Sequence, residues 1–310
     1  MKKIVLFIVL PIILIAGLSL VPVSKQVTIK IDANYFNCYR QLTIPANWRN
    51  WYPDINRVYT GDSSLYNLRN TNDGTKLIIR GESFLIKQPG SNVLLVKKVK
   101  DNKEYDYSYT IVPDANGLTT TVMVTFTTNM IKYFTPQDDL NKTAVNDFKR
   151  FMETPKLYYG FDIAQQFTNE KKIIVKKKTI AAAQLYSEAA GMKKQLQDYI
   201  SLKHLTQTGP VMTQFNTKTG DSVQMMMGLP VDKQISADNG FLYMVIPPGR
   251  ALTASFKGRY RDKKKIYTAM ASYIQDKYLH SKIAPLEEFE SKFPANDSDT
   301  IAFRLISPIF

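Results

Sequence analysis

The sequence predicts an α+β protein in which an N-terminal transmembrane helix precedes two globular domains. Three observations predict it. Ile4 to Val23 contains no charged residue. Strand-like segments separated by turn signals then lead into one long amphipathic helix. Beyond Thr154-Pro155 a strand–helix–strand–strand pattern occurs twice, which suits one shared antiparallel sheet with both helices on one face. The expected divisions are an anchor at 1–24, a first domain at 25–153, a linker at 154–158 and a second domain at 159–310.

At 310 residues and 44% hydrophobic content, the chain can bury two separate cores. The formal net charge of +14 requires a basic surface, which suits either anionic partners or plain solvation. Cys38 is the single cysteine, which excludes an intramolecular disulfide and a cysteine zinc site. His204 and His280 are too few for a histidine metal site without many carboxylates. Neither metal nor cofactor is expected.

Lys2 and Lys3 precede the apolar run, which is long enough to cross a hydrocarbon core of roughly 30 Å. Pro11 is tolerated in such a span. The other reading is a cleaved signal peptide ending at Gly17-Leu18-Ser19, but signal cores are shorter, roughly 7–15 residues. The flanking lysines put the N-terminus in the cytoplasm. The expected location is therefore the membrane, single-pass through residues 4–23, with the bulk of the chain extracytoplasmic.

In the first domain, Val27 to Ile31 alternates apolar and polar side chains and reads as a half-buried strand. A short helix around Asn34 to Leu42 and the segment Trp48-Arg49-Asn50-Trp51-Tyr52-Pro53 follow. Thr75 to Ile86, Asn92 to Lys100, Glu104 to Val112 and Leu118 to Thr127 read as strands, with Pro89-Gly90 and Asn116-Gly117 as turns. Leu140, Val145, Phe148 and Phe151/Met152 give helical spacing to Asp138–Met152. This order resembles the START-like, polyketide-cyclase-like (SRPBCC) helix-grip fold over residues 25–153. The resemblance implies a curved sheet around the closing helix, with a cavity for an apolar ligand. Trp48 and Trp51 are expected to pack the helix-to-strand corner. No acid/base pair in this half suggests catalysis.

Thr154-Pro155 ends the closing helix, because proline cannot continue one. The lysines of 171–178 read as charges that blunt a sheet edge, or as a patch facing lipid headgroups. Leu185, Ala189, Met192, Leu196 and Tyr199 mark a helix within Ala181–Leu202. Ile266, Met270, Ile274 and Tyr278 mark another within Asp262–Tyr278, with Tyr267 and Tyr273 beside the stripe. Strands are expected at Val211–Phe215, Ser222–Gly228, Phe241–Ile246, Ala251–Lys257, near Phe289 and at Ile301–Ile306.

Five motifs in this half are similar, in order and spacing, to the GyrI-like effector-binding domain. They are Gly228-Leu229-Pro230-Val231, Ile246-Pro247-Pro248-Gly249, Gly258-Arg259-Tyr260, Pro285-x-Glu287-x-Phe289 and Ile306-Ser307-Pro308-Ile309. The resemblance implies a pocket between the two modules for hydrophobic, often cationic, molecules, with a buried glutamate as counter-charge. That role falls on Glu287, with Glu288 as the alternative because the register to Pro294 is one residue longer than the family pattern implies. A carboxylate in an apolar site either takes up a proton or selects a cation. Tyr260, Tyr243, Tyr273 and Phe289 are the expected walls, through cation–π attraction. Met225 and Met227 are expected as adaptable thioether lining, although each aromatic and methionine is also explicable as ordinary core. Arg259 and Phe256 depart from the family pattern, and Arg259 near the mouth would neutralise the glutamate and favour neutral or anionic ligands.

The expected function is small-molecule binding or sensing, with a hydrophobic molecule as partner. The alternatives are a hydrolase using Glu287 and Tyr260, or a scaffold docking on lipid or protein. No catalytic residue is assigned. No nucleic acid is expected, because basic charge alone is not a recognition element, and the sequence names no partner protein.

Overall fold

Two antiparallel sheets organise the chain, and each is built from segments whose side chains alternate between interior and solvent. The computed structural model describes residues 21–130, 140–217, 221–281, 283–290 and 292–310. The chain divides at Thr154/Pro155 into two compact units.

The first unit opens with β1 (Pro22–Ile31), whose exposure alternates residue by residue until Ile31 is fully buried. Asn34 caps α1 (Tyr35–Thr43), its side chain accepting from the Asn37 amide at 2.9 Å. A 3-10 turn at Pro45–Asn50 leads to α2 (Pro53–Gly61). The Trp48 and Trp51 indoles donate to the carbonyls of Leu42 and Gln41, at 2.7 and 3.2 Å, and so pin this corner. Strands β2 (Tyr66–Thr71), β3 (Gly74–Ile79), β4 (Glu82–Lys87), β5 (Val93–Lys100), β6 (Lys103–Pro113) and β7 (Thr120–Asn129) complete a sheet ordered β1-β7-β6-β5-β4-β3-β2. It curls as a half-barrel, and α3 (Leu140–Glu153) buries Val145, Phe148 and Met152, with Phe148 edge-on to Trp51. The expected single strand Thr75–Ile86 is two strands. Arg80 and Gly81 adopt φ of 39° and 81°, a two-residue hairpin turn between Ile79 and Glu82.

The second unit contains α4 (Pro155–Tyr158), β8 (Ala164–Thr168), β9 (Lys171–Ala181), α5 (Leu185–Leu202), β10 (Met212–Thr217) and β11 (Ser222–Pro230). It continues with β12 (Leu242–Ile246), β13 (Gly249–Arg259), α6 (Lys264–Asp276), β14 (Leu286–Phe289) and β15 (Thr300–Pro308). The order β12-β9-β11-β10-β14-β15-β13-β8 is symmetric about the β10–β14 pair. Each half holds a strand–helix–strand–strand module and one edge strand, β12 beside β9 and β8 beside β13. Register places Met227, Thr213, Glu287, Leu305 and Ala254 in one row across the central strands. That face carries both helices: α5 packs on Met225, Met227 and Leu229, and α6 on Leu252, Phe256 and Leu305. The opposite face presents Ile173, Val175, Met212, Leu286 and Ile306.

Two expectations are corrected here. The lysines of 171–178 lie only partly at an edge: β11 pairs with β9 along 173–181, β12 covers 171–175 on the other side, and Lys176, Lys177 and Lys178 lie beyond the end of β12. Residues 4–20 of the expected membrane span lie outside the described residues, its end at Pro22 and Val23 belongs to β1, and among the described residues no helix is long and apolar enough to cross a membrane. The longest of them, α5 at 18 residues, carries Glu188, Lys193, Lys194 and Asp198 along its length. Membrane anchoring and an extracytoplasmic location are therefore withdrawn.

Gly228 shows why one motif residue must be small. A Cβ there would lie 2.6 Å from Ile173 Cγ2 and 3.3 Å from Val175 Cγ2. Gly228→Ala is expected to destabilise the protein by about 1–3 kcal/mol through overpacking, read as a lower midpoint in thermal unfolding.

Candidate functional site

Adjacent residues of a strand point to opposite faces, so β14 sends its two glutamates in opposite directions. Glu287 faces the helices and is 0% exposed. A buried carboxylate left bare is costly, and three donors converge on this one. Tyr260 donates its hydroxyl to Oε2 at 3.0 Å, Tyr267 donates to Oε1 at 2.7 Å, and Lys263 Nζ donates to Oε1 at 2.8 Å. These donors sit at helical spacing, i, i+3 and i+7. They lie on the 3-10 turn Tyr260–Lys263 and the first turn of α6. The turn is hung from the loop before β15, with the amides of Tyr260 and Arg261 donating to the carbonyls of Asp299 and Asp297.

The ammonium of Lys263 stands inside an aromatic cage. Nζ lies 4.1 Å from the ring centroids of both Phe215 and Tyr260 and 5.9 Å from that of Tyr267. Phe215 comes from β10 of the first module, so both modules build the cage. Half-buried Tyr186 and Phe293 extend the aromatic surface from Tyr260, at 6.2 and 6.5 Å between centroids. Tyr186 also donates to Asp297. Thr213, directly across from Glu287 in the sheet, is fully buried, and its hydroxyl has no hydrogen-bond partner among the described residues.

The environment moves proton affinities in opposite directions. Burial pushes the Tyr260 and Tyr267 hydroxyls far above their ordinary range, and the Glu287 charge adds to it, so both remain donors. Burial lowers Lys263 from its ordinary value although Glu287 pulls it up.

Glu288 faces the other side of the sheet, where Lys171 and Arg304 both donate to it. Burial alone would raise its pKa, but these hydrogen bonds outweigh it and hold the carboxyl below 4.5. The same three side chains border a cleft of about 760 Å³ that includes Pro230 and Asp232.

The structure thus brings Glu287, Tyr260 and Phe289 together, with the Phe289 ring 6.3 Å from that of Tyr260. It sets Met225, Met227 and Tyr243 apart, and Tyr273 lies at the margin of the core cluster that holds Tyr260 and Phe289. Met225 and Met227 are fully buried core beneath α5, and Tyr243 on β12 packs against the same cluster. Tyr273 stacks edge-on with Tyr159 at 5.4 Å. Arg259 is exposed at the end of β13, and the cation that meets Glu287 is Lys263. Lys263, Tyr267 and Phe215 escaped the sequence reading. The i, i+3, i+7 spacing from Tyr260 was the available signal for the first two.

In the first unit, the inner face holds Trp48, Tyr52, Phe84, Tyr109 and Phe148 in mutual contact or close to it. Buried Lys98 pairs there with Glu82 at 2.9 Å and lies 5.1 Å from the Phe84 ring.

No family model and no curated protein matches the sequence. Among solved structures, the chain is similar to the EcmrR–DNA complex, at 12% identity and a TM-score of 0.42, over 56% of this chain and 72% of that one. It is similar to a hydrolase from Listeria innocua, at 9% identity and 0.38, over 48% and 91%. It is also similar to SAV2435 bound to tetraphenylphosphonium, at 13% identity and 0.31, over 48% and 93%. At such identities no activity or ligand passes from those proteins to this chain. The expectation that nucleic acid is no partner is withdrawn, because the structures similar to this chain include a protein–DNA complex.

Two predictions follow from the two glutamates. Lys263→Met should destabilise the protein toward the low end of the roughly 3–5 kcal/mol of a broken buried pair, because both tyrosines still donate to Glu287. In denaturant unfolding, Glu287→Gln with Lys263→Met should cost less than the sum of the two by about 1 kcal/mol or more; strict additivity would show that the pair is uncoupled. Glu288 has a lowered folded-state pKa, so its stabilisation is present above the ordinary carboxylate range and lost as pH falls through the folded value. Glu288→Gln should therefore be less stable than the wild type at pH 7 by about 1–3 kcal/mol, with the gap closing below about pH 4.

Proposed function

We propose that the second unit is a binding module for an apolar small molecule carrying a positive charge, recognised at the Glu287 cage. The observation that carries this reading is the fully buried carboxylate ringed by aromatic faces that already holds an ammonium group. Such a site favours cations twice, through the full charge of the carboxylate and through the negative faces of Phe215 and Tyr260, each ring contributing about 0.5–2 kcal/mol. An anion of the same shape would meet both with the wrong sign. The unpaired Thr213 hydroxyl beside Glu287 offers a second polar contact. Half-buried Tyr186, Phe215, Tyr267 and Phe293 supply partly exposed apolar surface around it. The motif resemblance to GyrI-like effector-binding domains points the same way, and sensing is the role that resemblance implies. The sequence-level expectation of neutral or anionic ligands, drawn from Arg259, loses its basis because Arg259 is exposed away from the carboxylate.

Tetraphenylphosphonium and tetraphenylborate, nearly isosteric ions of opposite charge, test the reading in thermal unfolding. Tetraphenylphosphonium at saturating concentration should raise the midpoint by several degrees, since a ligand selective for the native state must stabilise it. Tetraphenylborate should not. Glu287→Gln should abolish the phosphonium shift. An equal response to both ions, or a full phosphonium shift in Glu287→Gln, would remove the cage from the function.

A further inference from the structure

We infer that Lys263 is a displaceable internal ligand, which keeps the cage filled until an external cation takes its place. This inference rests on the cation-binding reading above and adds its regulation. The ammonium occupies the point where the carboxylate and two ring faces converge, 2.8 Å from Glu287 Oε1 and 4.1 Å from each of two centroids. A cation recognised by Glu287 and those rings must stand where Nζ stands.

Several features make the lysine removable. Its side chain is 24% exposed, whereas Glu287 is 0% exposed, so the cage opens to solvent along the lysine stem. The stem is a flexible four-carbon chain, and its ammonium is strongly hydrated when released. Asp297, exposed on the neighbouring loop, is close enough to act on the Lys263 charge and offers an outer position for it. Swinging the side chain out breaks its bonds to Glu287 at 2.8 Å and to the Tyr260 hydroxyl at 2.5 Å and leaves the backbone of the turn in place.

The exchange also sets specificity. Replacing one cation by another leaves Glu287 compensated throughout. A neutral molecule of the same shape would expel Lys263 and strand a buried charge, so it is rejected. Binding is weakened while the lysine occupies the cage, the apparent dissociation constant being the intrinsic one divided by the fraction of time the lysine spends outside, and removing the lysine removes that penalty. With an open state populated at about 10% or less, the gain in affinity is about tenfold or more.

The test measures tetraphenylphosphonium affinity by calorimetry for the full chain, its Lys263→Met and Lys263→Gln variants, and Glu287→Gln. It is joined by mass-spectrometric rates of reductive methylation at Lys263 in the wild type. Tighter binding by about tenfold or more in either lysine variant, lost again on adding Glu287→Gln, is the expected result. In the wild type, methylation of Lys263 should accelerate when tetraphenylphosphonium saturates the protein, and this arm stands even if a variant does not fold. Equal or weaker binding in folded lysine variants, or protection of Lys263 by the phosphonium, would overturn the exchange while leaving cation binding intact. Absence of binding in the wild type and in both lysine variants would overturn both.

Discussion

A single carboxylate with no exposure to water constrains the whole second unit. Glu287 can remain charged at that depth only if donors reach it from every open direction. Three do, and all come from one stretch of chain, Tyr260 to Tyr267. That stretch must therefore begin its helix just after β13 and lie over β14. The loop carbonyls of Asp297 and Asp299 hold it there. Phe215 then closes the cage from the other module. Loss of any one of these elements would leave a charge without its partner, so packing of the two halves and compensation of the charge are one requirement.

The symmetric sheet order sharpens this. The β10–β14 pair lies at the centre, with Thr213 opposite Glu287 and Met212 opposite Glu288. One module thus presents small or apolar residues where the other presents two carboxylates, and the functional asymmetry rests on two positions of otherwise similar halves. The two glutamates share a mode of stabilisation on opposite faces. Glu288 is held by Lys171 and Arg304 beside a polar cleft, while Glu287 is held by a lysine among aromatic rings. Only the second environment combines a full counter-charge with ring faces, which is what distinguishes a cation site from a structural ion pair.

Much of this was legible in the sequence, and the limits have physical reasons. Strand–helix–strand–strand repetition gave the symmetric sheet, because both periodicities are local. The choice between Glu287 and Glu288 was not local: it depends on the register of β14 against β10 and β15, and a shift of one residue would exchange their faces. Lys263 was passed over because it lies outside the apolar stripe of α6, where lysines are ordinarily solvated. Phe215 carries no signal at all, since it reaches the site from another module. Lys171 and Lys172 were misplaced for the same reason, because β12 returns from residues 242–246 to pair along 171–175. Arg80-Gly81 hid a hairpin because arginine is uncommon at a positive φ.

The position of the Lys263 ammonium carries the central claim, and nuclear magnetic resonance reads it directly. In the wild type, the Lys263 ε-methylene protons should be shifted strongly upfield by the ring currents of Phe215 and Tyr260. Titration with tetraphenylphosphonium should return them to the position of a solvated lysine as the cage is taken over. Unshifted resonances in the free protein, or an upfield shift that persists in the saturated complex, would contradict a caged and exchangeable lysine.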